Sequence, residues 1–304
     1  MIELLPIFAW FATGVALRAS GMAAPEQAGF MFRLIFFVTL PALAFTTISE
    51  QPLTAGNMVL PVAGFIVNLV CVGFALVYLR FVRMEPVRAG TVILGASIAN
   101  TAFVFPFILA VLGPAALAQV ILYDIGNAVF VATIAYGAAT RFSRPRDFST
   151  LRAIGKTIGS PLFLAICAAL VVSAAALDVP ALLRALLDPL AAATMPLILI
   201  ALGVSMSFAR MRDGVVISTV AIRMLGGFVI GIIAIAVLGL QNELALVVIT
   251  AAAAPIGFNS VTLASIGKLD VEHATAALSL SIVAGLLTTT ALLLLGSRWL
   301  IGAG

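Results

Sequence analysis

The sequence predicts an all-α polytopic membrane protein, with ten transmembrane helices arranged as two inverted five-helix repeats. Three observations carry this: an apolar excess, the spacing of the basic residues and a recurrence of prolines. Hydrophobic residues make up 63% of the 304 and charged residues 9%, with a mean hydropathy of +1.25, far outside the range of soluble globular domains. A bilayer core of about 30 Å takes about 20 helical residues. The apolar runs divide at short polar or Gly/Pro stretches into ten such segments: 2–18, 28–48, 56–82, 86–112, 114–140, 157–177, 182–209, 213–239, 242–266 and 271–297.

The formal charge of +4 does not imply a nucleic-acid partner, because position matters more than the sum. Arg18, Arg33, Arg80, Arg83, Arg88, Arg141, Arg144, Arg146, Arg152, Lys156, Arg210, Arg212, Arg223 and Lys268 are all assigned to alternate loops or span ends, and only Arg184 and Arg298 to the other side. The positive-inside rule then places the fourteen in the cytoplasm and both termini outside, which requires an even number of spans. Pro6, Pro25 and Pro41 recur as Pro161, Pro180 and Pro196, each 155 residues later and in similar surroundings (LPIFA and SPLFLA, TLPAL and TMPLI). Weak internal symmetry of this kind marks a duplicated transporter fold. Five spans per half make the repeat inverted: 1–140, a short basic cytoplasmic linker at 141–156 containing RFSRPRDFST, and 157–304.

Along the chain, the first span begins MIELLPIFAW, with Glu3 where a cleavable signal would carry basic residues, so it is expected to remain. Trp10 and Trp299 fall near the outer ends of the first and last spans, where tryptophan anchors at the interface. Cys71 and Cys167 lie singly in apolar segments as small buried residues. Asn68 in the third span reads as interhelical glue more readily than as a ligand. Gly227-x3-Gly231 in the eighth is a GxxxG, weak evidence of close helix approach. Arg210 and Arg212 in ARMRDG mark a charged boundary, and His273, near Asp270 and Glu272, reads as a solvated helix-end residue.

The fourth and ninth spans carry the chemistry. ASIANTAFVFPF places Asn100 and Thr101 shortly before Pro106, and ITAAAAPIGFNSVTLAS places Asn259 and Ser260 shortly after Pro255. A proline inside a helix frees backbone groups that hydrocarbon cannot satisfy, so such a break requires protein or a water-filled cavity around it. Two interrupted helices crossing near mid-depth would present free helix ends beside Asn100, Thr101, Asn259 and Ser260, a setting suited to a small anion such as a carboxylate. Ordinary proline kinks are the plainer alternative; the matched pair favours the site. In the fifth span, ILYDIGNAVF sets Asp124 and Asn127 on one face, with Tyr123 facing Asn127. An acid at this depth is costly. Asp124 reads either as a transport group, coupling a proton or cation or hydrogen-bonding substrate, or as a structural acid bonded to a neighbour such as Tyr123.

The stretches ASIANTAFVFPFILAVLGPAAL, ILYDIGNAVF and AAAAPIGFNSVTLASIGKLD resemble the auxin efflux carrier family, in its bacterial type, and the likeness extends over nearly the whole chain. The resemblance implies crossed fourth and ninth helices, a transport domain moving against a scaffold as an elevator, Asn100 at the substrate carboxylate, and a homodimer. It also implies a bacterial inner membrane location. The linker is far shorter than the phosphorylated cytoplasmic loop of long plant members, which puts auxin in doubt as the substrate. The function expected is secondary transport of small organic anions, mono- or dicarboxylates, with proton or sodium coupling open. The alternative is a sodium-coupled symporter of the bile-acid type. No cofactor or metal is called for, and an enzyme is not expected: there is no DxxxD pair, and the single histidine lies at a span end.

Overall fold

The computed structural model describes residues 2–52, 55–142 and 150–297. Among them the chain is helical throughout, apart from turns and one isolated β-bridge. The helices are α1 (Leu5–Ala19), α2 (Pro25–Leu34), α3 (Leu40–Ser49), α4 (Leu60–Phe81), α5 (Pro86–Ser97), α6 (Thr101–Leu112), α7 (Pro114–Phe130), α8 (Tyr136–Phe142), α9 (Thr150–Ile158), α10 (Pro161–Ala174), α11 (Ala181–Val204), α12 (Gly214–Ala221), α13 (Gly227–Leu238), α14 (Asn242–Ala252), α15 (Phe258–Ile266) and α16 (Val271–Gly296). π-Helical turns at Ile35–Thr39, Val131–Ala135 and Ile222–Gly226 join α2 to α3, α7 to α8 and α12 to α13 into continuous rods.

Seven continuous helices among the described residues are long and apolar enough to cross a membrane, and an eighth span forms if α9 and α10, bent by 52° at Gly159–Ser160, are taken together. The fourth and ninth expected segments, 86–112 and 242–266, are instead two short helices each, α5/α6 and α14/α15, flanking an extended break. The expected linker is in part helix α9; its residues 143–149, with Arg144 and Arg146, lie outside the described residues, as do Arg298 and Trp299.

Helix direction alternates, as the ends of α11 show. At its N-terminal end Arg184 binds Glu50 at 2.6 Å, and the Ser173 hydroxyl donates to the Gln51 carbonyl, so α3 and α10 end where α11 begins. Beyond its C-terminal end Arg210 reaches Glu272 at 3.1 Å and Arg88 pairs with Asp213, so α5, α12 and α16 begin together at the opposite face. Close helix pairs are set by glycine. Gly14 and Gly203 face each other's backbone across α1 and α11, and Gly64 and Gly126 do the same across α4 and α7. In each case a β-carbon would overlap the neighbouring chain. Gly227 and Gly231 play this part between α13 and α14, so the GxxxG is an intramolecular contact.

Candidate functional site

The two breaks meet. Ile98 leaves α5 in extended geometry, the Asn100 N–H donates to the Pro255 carbonyl at 2.8 Å, and the Gly257 N–H donates to the Ile98 carbonyl at 2.9 Å, forming an antiparallel bridge of Ala99 with Ile256. The Ile256 N–H donates to Ser281 Oγ at 3.0 Å, and the Ala99 carbonyl accepts from Asn127 Nδ2 at 3.2 Å. These bonds supply partners where hydrocarbon could not. Asn100 is also the N-cap of α6, its side-chain oxygen accepting from the Phe103 N–H at 3.2 Å. Gly285 on α16 lies against the Pro255 ring and Phe103, where a β-carbon would overlap the proline ring and press on the phenyl.

A buried polar chain runs beneath the bridge. Arg223, in the π-turn between α12 and α13, is fully buried; its Nη1 donates to the Ser97 carbonyl at 3.1 Å and to Asn68 Oδ1 at 2.9 Å, and its Nη2 donates to the Ala252 carbonyl. Asn68 Nδ2 donates to Asn127 Oδ1, and Asn127 Nδ2 donates to Asp124 Oδ1, each at 2.8 Å. The Thr101 hydroxyl also donates to Asp124. A guanidinium and a carboxylate are thus joined through two asparagine amides, all oriented the same way.

Above the bridge is a cleft of about 50 Å³. One wall is the crossover itself, with Asn100, Thr101, Asp124, Asn127, Phe258 and Asn259. The other is apolar and comes from α2, its π-turn and α11, with the rings of Phe32 and Phe258 4.3 Å apart across the divide. The N-termini of α6 and α15 both open on this cleft, and each carries roughly half a positive charge.

Of the residues expected at the site, Asn100, Thr101, Asp124, Asn127 and Asn259 are brought together at the cleft. Ser260 is not: fully buried, it turns its hydroxyl back to the Gly257 carbonyl at 2.8 Å, because successive residues on a helix point about 100° apart. Tyr123 departs for the same reason. It faces α4 at Gly64, and among the described residues its hydroxyl has no partner, Asp124 included. Pro255 lies in its break, but Pro106 does not break the fourth span. It is the sixth residue of α6, and the interruption falls at Ile98–Asn100, where the Asn100 cap and the bridge hold the chain extended.

Two further expectations are corrected. Arg223 is no loop charge but a buried mid-span cation, tolerated because three oxygens meet it. His273 is buried rather than solvated, its Nε2 lying 3.2 Å from Thr219 Oγ1 under α12. Asn68 is the interhelical glue expected of it.

The family model described as "Membrane transport protein" matches residues 1–293. An uncharacterized transporter of Methanocaldococcus jannaschii is 26% identical over 210 residues, covering 66% of this chain and 67% of that protein. With its multi-pass helical fold and two interrupted helices that meet at a polar cleft, the chain belongs to this membrane transport protein family, that of the auxin efflux carriers.

Proposed function

We propose that the protein is a secondary transporter of small organic anions, mono- or dicarboxylates, in a bacterial inner membrane with both termini outside. Alternating access takes place around the crossover. The observation that carries this reading is the meeting of two half-helix N-termini, α6 and α15, with Asn100 and Asn259 at one cleft. Their combined partial charge is roughly +1, and the amides donate to a carboxylate without a lysine. Ten spans in two inverted repeats fit the packing. Pro6 and Pro161 stand in the first turns of α1 and α10, and Pro25 and Pro180 at the starts of the next spans. Pro41 and Pro196 stand within those spans, and α1 packs on α11 as α10 packs on α3.

The repeats would cross, in a homodimer, as a transport domain of α4–α8 and α12–α16 against a scaffold of α1–α3, α10 and α11. The cleft lies between these two sets and holds only a few waters at its present size. Substrate entry therefore requires the walls to part, as a sliding transport domain would allow. Asp124 shares the cleft with the anion. Its charge suits the empty site, and a bound carboxylate requires it to take a proton, so a proton would accompany the anion.

The test is uptake of labelled malonate and malate into proteoliposomes under an imposed pH gradient. Wild type should transport at least one of them. Asn100→Ala should lower the flux at least about tenfold, the loss of a charge-assisted hydrogen bond, and Asp124→Asn should remove the response to the gradient. Unchanged flux and affinity in Asn100→Ala would overturn the assignment of the site.

A further inference from the structure

We infer that Arg223 is a built-in counter-cation of the crossover, holding the place that a coupling sodium ion would otherwise take. The inference rests on reading the interrupted helices as the transport crossover, and it deepens that reading by excluding sodium from it.

α5 ends at Ser97 and α14 at Ala252, and each helix end carries roughly half a negative charge on carbonyls without intrahelical partners. Those two carbonyls and Asn68 Oδ1 converge on one small volume. Converging carbonyl oxygens at half-helix C-termini are the donor set that binds sodium in secondary transporters. Here the guanidinium fills that volume. Gly227, one turn on from Arg223, leaves room for it, since a β-carbon there would collide with the Ala252 carbonyl and lie 2.7 Å from Arg223 Nη2. The π-turn at Ile222–Gly226 shifts the helix register beside it, a feature frequent at functional positions.

The fixed cation also reaches the cleft. Asn68 accepts from Arg223 and donates to Asn127, and Asn127 accepts from Asn68 and donates to Asp124 and the Ala99 carbonyl. Arg223 thereby sets the amide orientation at Asn127, which fixes which atoms face an incoming anion. It is a positioning residue, distant from the substrate itself.

The first arm uses the purified full-length wild type. Its thermal unfolding midpoint, and malonate uptake into proteoliposomes, should be the same in sodium chloride as in choline chloride. Coupled ions change affinity typically 5- to 150-fold, so the uptake ratio should stay below about twofold. The second arm uses Arg223→Ala. Millimolar guanidinium chloride should raise its unfolding midpoint saturably by about 3 °C or more while leaving wild type unmoved, as a cation returning to an emptied site would. Arg223→Lys, which keeps the charge and is expected to fold, should need no added cation.

Sodium stabilisation of wild type, or sodium-driven uptake, would overturn the inference. So would an Arg223→Ala protein that is destabilised yet indifferent to every cation, since a purely structural arginine behaves that way. If Arg223→Ala does not fold, the wild-type comparison and Arg223→Lys still decide. The unfolding measurements need no substrate, so absence of malonate flux would bear on the proposed function alone.

Discussion

The chain from Arg223 to Asp124 predicts energetic coupling between Asn68 and Asn127. Replacing Asn127 by leucine removes its bond from Asn68 at 2.8 Å, its bond to Ala99 at 3.2 Å and its bond to Asp124 at 2.8 Å. The Ala99 carbonyl is then stranded in the break. A buried polar group left unpaired costs about 1–3 kcal/mol, whereas interhelical bonds in membranes average about 0.6 kcal/mol and reach about 1.7. Three bonds on the membrane scale give a loss of about 2–4 kcal/mol for Asn127→Leu. Asn68→Leu breaks two, and should lose about 1–3 kcal/mol by the same reckoning. The double variant removes both ends of the shared bond, so its loss should fall short of the sum by about 1 kcal/mol. Equilibrium unfolding in mixed micelles, run as a double-mutant cycle, measures this. Additivity within about 0.5 kcal/mol would refute the chain as a connected network.

Two further outcomes follow from single contacts. Gly285→Ala should lower the unfolding midpoint and malonate flux together, because its β-carbon meets the Pro255 ring and Phe103; overpacking of this kind costs about 1–3 kcal/mol. Gly73→Ala, where the added carbon meets open space, is the control that should change neither. At the face where α5, α12 and α16 begin, burial raises the Asp213 carboxyl, but the Val215 amide and the Arg88 guanidinium together hold it below the usual aspartate range. A depressed value means that this stabilisation is full above the ordinary aspartate value, about 4, and is lost as pH falls through the folded one. In acid titrations read by unfolding, wild type should therefore lose more stability below about pH 4 than Asp213→Asn does.

The segments that became helices were legible because lipid makes the apolar pattern nearly obligatory: a run such as 56–82 has one stable solution. The two special spans were legible from their polar residues, yet the break in the fourth was misplaced. Proline is a strong local signal, but Pro106 sits where the loss of one backbone bond is tolerated, and the interruption is decided by the bridge of Ala99 to Ile256, 157 residues away. That pairing is tertiary and leaves no mark in the local sequence. Ser260 and Tyr123 do not line the cleft although their neighbours Asn259 and Asp124 do, because a helix turns adjacent side chains apart. Arg223 did leave a signal. It stands ten residues beyond Asp213, about 15 Å along a helix and so near the middle of the hydrocarbon. Counting that depth would have separated it from the loop arginines.

With Arg223 at mid-depth, the charges of the crossover balance without any bound ion. Breaking two helices creates two negative ends and two positive ends in the bilayer, each roughly half a charge. The negative ends, at Ser97 and Ala252, amount to roughly −1 and meet one guanidinium. The positive ends, at α6 and α15, amount to roughly +1 and meet one carboxylate, Asp124. The empty proposed site is then close to neutral. An entering monoanion keeps it so only if Asp124 gains a proton. A scheme in which the loaded and empty crossover are both near neutral lets a transport domain carry its cargo through the hydrocarbon without exposing net charge. In that scheme Arg223 carries its charge on every crossing and is never released, so a second cation at the same place would leave the centre positive in both states.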